Sequence, residues 1–345
     1  MTTRKGRAAG CAAAILGVLA LAGAAGSWYW WRGTARPAGP PGSRPVRITV
    51  APGASVTGVG DELEKRGVIR SAWAWSVRAR RASAAKVALQ PGVYDVSPSE
   101  PPARILRRLV NGDVVRVKVT FPEGFTIRQI ARRLGARGAV ADENRFLDLV
   151  SRHGSTLRAS FRPPARLEGY LFPDTYVFPV GASEAQVAQQ MLGNFDRLVA
   201  RGVEKERARR RRTLSVLVIV ASLIEREAKV DRDRARIAGV IYNRLKKGMP
   251  LQIDATVQYA RGRHVSRLLF RDLKVDSPYN TYKRKGLPLG PICCPGLASL
   301  KAALAPETHP YLFYVARKDG SHVFGRTLAE HNHNIALVRR GGGQN

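Results

Sequence analysis

Between Thr213 and Val230 the chain reads TLSVLVIVASLIEREAKV, an almost unbroken apolar run of helical length that closes on two glutamates. At 100° per residue, Glu227 continues the stripe Leu217, Val220, Ile224 and lies beside Leu223, whereas Glu225 sits about 200° round the helix. The pattern therefore points Glu227 toward the core. Glu225 is flanked by Ala221 and Ser222 and has Lys229 four residues on, which predicts an ordinary solvated ion pair. A carboxyl on an apolar face has a raised pKa and is partly protonated near neutrality, as a general acid must be. The same spacing equally suits a core glutamate bound to an arginine such as Arg244.

Upstream, residues 47–113 alternate strand-like and helical patterns. VRITV is followed by a helical pattern from Ser55 to Arg66, another from Trp73 to Ala82, a strand at Gly92-Val93-Tyr94 and a third helix from Pro102 to Val110. These predict a small α+β module without clustered nucleophiles, bases or metal ligands, suited to binding or spacing. Val115 to Phe121 alternates as a strand, and Pro122-Glu123-Gly124 makes a turn into a helix starting at Thr126, where a second, larger unit begins.

The start of the chain changes the setting. After Arg4, Lys5 and Arg7 come nineteen uncharged residues, Ala8 to Gly26, then Trp28-Tyr29-Trp30-Trp31 and a Pro/Gly-rich stretch from Arg36 to Pro45. Such a stretch can cross a bilayer, the aromatics suit its interface, and the basic flank places the N-terminus in the cytoplasm. The expected division is a cytoplasmic tail (1–7), a transmembrane helix (8–31), a linker (32–46), a small module (47–118) and a larger domain (119–340), both outside the cytoplasm. A cleaved signal peptide ending at Ala22-Gly23-Ala24 is the rival.

Three cysteines, Cys11 in the apolar stretch and the adjacent Cys293 and Cys294, provide neither a disulfide framework nor a zinc spacing. Six histidines are scattered, and His331-Asn332-His333 diverge on a helix, so neither a metal nor any other cofactor is expected. The net charge of +32 and the run Arg207 to Arg212 raise a nucleic-acid reading. A solvated basic helix end explains the run more simply. Outside the cytoplasm a basic surface meets anionic lipid headgroups or a wall polymer instead, so no nucleic-acid partner is expected.

The larger unit is dense in rigid polar-aromatic loops: EGYLFPDTY (168–176), QIDATVQY (252–259), SPYNTY (277–282) and GLPLGPI (286–292). Pro and Gly fix such loops while Tyr, Asn, Asp and Thr offer stacking faces and hydrogen bonds, the chemistry that binds sugars. Together with ASLIEREA, IAGVIYNRL and HVFGRTLAEHN, these segments resemble the YceG-like endolytic murein transglycosylases, the MltG family. The resemblance spans the anchor, a LysM-like module and the whole larger domain. It departs at Cys293-Cys294, where the family usually has a small residue or Asn before Pro-Gly.

The resemblance implies a mixed α+β catalytic domain and cleavage within peptidoglycan glycan strands, between N-acetylmuramic acid and N-acetylglucosamine, leaving 1,6-anhydromuramic ends. It places the single catalytic acid and base, the second glutamate of the family's pair, on Glu227. Candidates for positioning the sugar are Glu168, Asp174, Gln252, Asp254, Tyr279, Asn280 and His322. It also implies peptidoglycan, the membrane and peptidoglycan synthases as partners. Two other readings stay open: a two-carboxylate hydrolase with Asp254 or Glu168 as Glu227's partner, and a catalytically silent wall-binding scaffold.

Overall fold

A computed structural model describes residues 18, 19, 21–82, 88–262, 265 and 268–340. Most of the expected spanning segment, residues 8–17 and 20, lies outside the described residues. Its remainder runs into a helix over residues 21–33, and no helix among the described residues is long and apolar enough to cross a membrane. The chain divides into two compact units, residues 1–116 with 179–181 and residues 117–178 with 182–345.

In the first unit, β1 (Val46–Val50) pairs antiparallel with β2 (Gly92–Val96), Ile48 opposite Tyr94. Between them come α1 (Val56–Lys65), whose N-cap Ser55 accepts the Gly58 N–H, and α2 (Ala72–Ala82). Helix α3 (Pro102–Asn111) starts with proline in its first turn and stops at Gly112 in the left-handed region. The elements close over Leu63, Trp75, Tyr94, Ile105 and Leu109, all buried. Trp75 Nε1 donates to Val56 O and Tyr94 Oη to Gln90 O, so the two large rings lose no hydrogen bond by burial. These elements are the ones the alternation predicts.

All but the first residue of β3 (Arg116–Thr120) and all but the last of β4 (Thr175–Pro179) belong to the second unit, where the two form a two-stranded sheet. Helix α4 (Ile127–Ala136) begins in a capping box of Thr126 and Gln129 and packs on α5 (Glu143–Arg152). Then follow α6 (Glu184–Phe195), the short α7 (Glu204–Arg209), α8 (Leu214–Glu227), α9 (Asp231–Lys246), α10 (Asp254–Ala260), α11 (Leu297–Leu304), the hairpin β5 (Phe313–Ala316) and β6 (His322–Gly325), and α12 (Leu328–Arg340). The unit is mixed α+β, with a largely helical core.

Helix α8 is the core's axis. Thr213 caps its N-terminus by accepting from Val216 N–H, and every residue from Leu217 to Ile224 is buried, against α11 on one side and α9 on another. A helix apolar all round must be enclosed all round. The basic run beside it is not a free stripe. Arg207 pairs with Glu204 and Arg210 with Glu206, while Arg212 stacks on Tyr242 and donates to the Ala303 and Leu304 carbonyls at the end of α11. The expected solvated helix end is thus partly a structural clamp.

Gly169 shows how the EGYLFPDTY loop is seated. Its φ is +86°, and a Cβ there would come within 2.7 Å of Pro291 and of Val218 on α8. Gly169→Ala should therefore destabilise the protein by about 1–3 kcal/mol through strain and overpacking. Equilibrium urea unfolding measures it, and an unchanged midpoint would refute the close-packing account.

Candidate active site

Glu227 is the last residue of α8. The helix stops because Ala228 turns to an extended conformation, leaving the side chain at the mouth of the apolar core. The residue keeps partial surface exposure, yet burial lifts its pKa to about 7; nearby Asp254 also raises it, while the Tyr314 hydrogen bond, Lys229 and Arg226 pull it back. Tyr314 Oη donates to Glu227 Oε2 at 3.0 Å. Oε1 takes no hydrogen bond among the described residues and is the oxygen left to carry a transferable proton. Arg244 is not the partner of Glu227. Its guanidinium donates to the carbonyls of Leu312, Pro250 and Leu251 and to Gln252 Oε1, and it lies over the Phe313 ring.

Glu225 departs from expectation. Its side chain is 7% exposed, faces Arg234 Nη1 at 3.5 Å and accepts the Gly296 N–H at 3.0 Å. Lys229 cannot serve as an i+4 partner because the helix has already ended. Glu225 thus joins α8 to α9 and to the start of α11, and it has no free oxygen comparable to Glu227 Oε1.

The hairpin β5–β6 supplies the other side of the site. Tyr314 lies opposite Phe324 and Ala316 opposite His322, so alternation puts Tyr314, His322 and Phe324 on one face. The Tyr314 and His322 rings meet edge to face at 5.5 Å. His322 is in turn fixed by Asp233, whose Oδ2 lies 3.0 Å from Nδ1 and accepts the His322 N–H at 2.8 Å. Asp233, His322 and Tyr314 thus form a chain of support ending on Glu227. His322 acts through Tyr314, without touching the carboxyl.

Asp254 begins α10 and accepts a short hydrogen bond from Tyr282 Oη. It is exposed and close enough for its charge to act on Glu227. Just before it, Gln252 adopts φ +54°, a left-handed backbone rare outside glycine, held by its N–H to Thr281 O and its side chain to Arg244. Of the sequence candidates, Asp254 acts on Glu227 by its charge and His322 reaches it through Tyr314, while Gln252 joins them through Arg244 and the chain to Asp254.

The remaining candidates lie elsewhere. Glu168 is 1% exposed and receives the Ile127 N–H and Tyr259 Oη, which makes it the anchor of the first turn of α4 rather than an open sugar ligand. Burial raises its pKa to about 7, against those hydrogen bonds. The Tyr279 ring meets that of Tyr259 in the same cluster, tilted by 57° with centroids 4.8 Å apart. Asn280 is fully buried, donating to the carbonyls of Leu273 and Val275, and so shapes the SPYNTY turn from inside. Asp174 opens β4, bound to Asn194 and to Thr175 N–H. The two cysteines are packing residues: Cys293 Sγ contacts Ser222 O, Cys294 pairs by backbone with Gly124 and Phe125, and burial holds both thiols protonated.

The functional residues that the sequence reading missed are Tyr314, Tyr282 and Asp233. Period-2 alternation in FYVA and HVFG, joined by the turn Lys318-Asp319-Gly320, would have paired the strands and put Tyr314 beside His322. The other two had no local signal.

A buried carboxyl with a raised pKa, a tyrosine donor on one oxygen and no hydrogen bond on the other among the described residues is an arrangement able to give and take a proton, on a mixed α+β domain. The sequence matches the YceG-like family over residues 48–337, and the chain belongs to that family. It is 35% identical over 305 residues to the endolytic murein transglycosylase of Bacillus subtilis, covering 83% of each chain. It is 28% identical to that of Streptococcus pneumoniae, with 84% of this chain matched to 58% of the longer relative. A crystal structure of a YceG-like protein from Listeria monocytogenes aligns with TM-score 0.57 at 34% identity, covering 84% of this chain and 99% of that one.

Two titrations test the electrostatics. Removing the Tyr314 donor should raise the Glu227 pKa further, and neutralising Asp254 should lower it, so Tyr314→Phe and Asp254→Asn should move the carboxyl titration in opposite directions by NMR. Stability should follow as well. A carboxyl whose pKa rises from 4.5 unfolded to about 7 folded binds its proton better when folded, so its contribution is fullest below 4.5 and is lost as pH rises through 7. Glu227→Gln should therefore gain stability over the parent protein above pH 7, on the order of 1–3 kcal/mol, and little at pH 4. A gain independent of pH would contradict the assigned shift.

Proposed function

We propose that the protein is a lytic transglycosylase that cuts peptidoglycan strands internally, with Glu227 as the single catalytic acid and base. The observation that carries this reading is the Glu227 carboxyl itself: desolvated, about half protonated near neutrality, with Oε1 open and Oε2 held by Tyr314. Family membership and the names of the Bacillus and Streptococcus relatives support it.

In the proposed reaction Glu227 Oε1 gives its proton to the glycosidic oxygen as the bond to C1 of N-acetylmuramic acid breaks. The carboxylate so formed is stabilised by the Tyr314 hydrogen bond, and the positive charge developing on the sugar is eased by Asp254 nearby. The carboxylate then removes the proton from the muramic acid 6-hydroxyl as that oxygen closes on C1. The anhydro ring forms, Glu227 is protonated again, and no water is consumed. Because the nucleophile belongs to the substrate, orientation supplies much of the rate.

A two-carboxylate hydrolase is the second reading, favoured by Asp254 lying within electrostatic range of Glu227. Product mass separates them, since a 1,6-anhydro end is one water lighter than a reducing end. The apolar stretch 8–26, with Trp28, Tyr29 and Trp30 exposed on the helix after it, supports an anchor holding the enzyme where strands emerge from membrane-bound synthases. The first unit would serve as a LysM-like spacer or wall-binding module.

Glu227→Gln should keep the fold and lose at least about 10²–10⁴-fold in cleavage, because the amide cannot donate the proton and one residue serves both steps. Glu225→Gln should cost stability more than turnover, since it weakens the contacts to Arg234 and Gly296. Cleavage should decline as pH rises through about 7, where Glu227 loses its proton. Digests of purified peptidoglycan analysed by mass spectrometry should contain anhydro ends, and mainly reducing ends would sink the transglycosylase in favour of the hydrolase.

A further inference from the structure

Four arginines line one cavity of about 470 Å³ in the larger unit. Arg128 and Arg132 project from successive turns of α4, Arg166 precedes the buried Glu168, and Arg226 is the residue before Glu227. Ala255 and Gln258 of α10, the helix that Asp254 begins, complete the wall toward the acid–base site. The cavity is therefore lined by the chain neighbours of Glu227 and Asp254, and the Arg226 charge acts on the Glu227 carboxyl.

Its charge is not balanced from within. Glu168 is the one acid among the lining residues; it is already bonded to Ile127 N–H and Tyr259 Oη, and burial raises its pKa to about 7. Arg166 is engaged by Tyr259 Oη at 2.9 Å and lies 3.7 Å from Glu168. Arg128, Arg132 and Arg226 make no side-chain hydrogen bond or ion pair among the described residues. Arg128 also sits in the first turn of α4, which contains no acid, although the positive end of a helix dipole disfavours a cation there. A set of cations that repel one another and violate a local helix rule, in a cavity of ligand-binding size, is a site whose counter-charge arrives with a ligand.

We propose that this cavity binds carboxylates of the peptide branches borne by the muramic acid residues of a peptidoglycan strand, setting which glycosidic bond meets Glu227. The inference rests on the glycan-cleaving reading above. Within a strand the peptide carboxylates recur at every disaccharide, whereas a lipid-linked diphosphate occurs once, at an end. An enzyme that cuts internally can use only the recurring anion at each cut. Guanidinium forks match carboxylates in two-point hydrogen bonds, which gives orientation as well as attraction.

The test uses the full-length Glu227→Gln protein, titrated by calorimetry with an N-acetylated Ala-Glu-Lys-Ala stem tetrapeptide, with the same peptide carrying amidated carboxyls, and with inorganic pyrophosphate. The free-carboxylate peptide should bind at least about tenfold more tightly than the amidated one, and added salt should shrink the difference. Arg128→Ala with Arg132→Ala, on exposed turns where alanine favours the helix, should erase that difference at unchanged melting temperature, and the paired lysine variant should recover part of it. Equal binding of the two peptides, or a difference that survives the double alanine variant, overturns the proposal. Pyrophosphate binding tenfold tighter than the peptide assigns the cavity to a diphosphate and overturns it as well. Cleavage by the active protein is scored separately on strands with free and amidated peptide carboxyls. Peptide discrimination without cleavage of either strand would sink the enzyme and leave the cavity, while cleavage of both strands alike would do the reverse.

Discussion

The desolvation of one carboxyl at the end of α8 is the constraint around which the larger unit is arranged. An isolated buried charge is among the costliest groups a fold can hold, and neutralising it by protonation is the usual escape. Here the escape is taken halfway. The apolar packing of α8 favours the protonated form and Asp254 adds to it, whereas Tyr314 favours the anion by donating to Oε2. Neither state of Glu227 is far below the other near neutrality, which is the condition that the proposed acid-then-base role would need.

That balance needs placement on the scale of a hydrogen bond, and the outer contacts provide it. Tyr314 is set by the register of β5 on β6, by the edge of His322 and, through His322, by Asp233 at the start of α9. Asp254 is set by Tyr282, and the loop before it by the strained backbone of Gln252, tied to Thr281 and Arg244. Arg244 spends its donors on loop carbonyls, which joins α9, the 250–252 loop and the entry to β5. The arginine that sequence spacing offered as a partner for Glu227 instead ties these loops together.

Much of this was legible in the chain. Period-2 and period-3.6 patterns located the strands and helices of the first unit and the helix start at Thr126, because those elements are amphipathic and punctuated by turn and cap residues. The orientation of Glu227 was legible for the same reason. The contact partners were not. Glu168 and Asn280 look like surface ligands in a polar-aromatic motif, yet they turn inward because an α4 N–H and two loop carbonyls need partners. Such demands are made by segments far away in sequence, and no local period records them.

The two glutamates of α8 show where periodicity ends and tertiary structure takes over. Both lie at the end of a helix whose preceding residues are buried all round, neither is freely exposed, and the angle between them does not by itself separate acid from ion pair. What separates them is what each meets. Glu225 reaches Arg234 with one oxygen and a backbone N–H with the other, so both oxygens are occupied. Glu227 meets a tyrosine on one oxygen and takes no hydrogen bond on the other among the described residues, within electrostatic range of Asp254. One helix end thus holds a tethered carboxyl and one with a raised pKa two residues apart. The difference lies in the neighbours that α9, α11 and the hairpin bring, and so the same motif without those neighbours would not define the site.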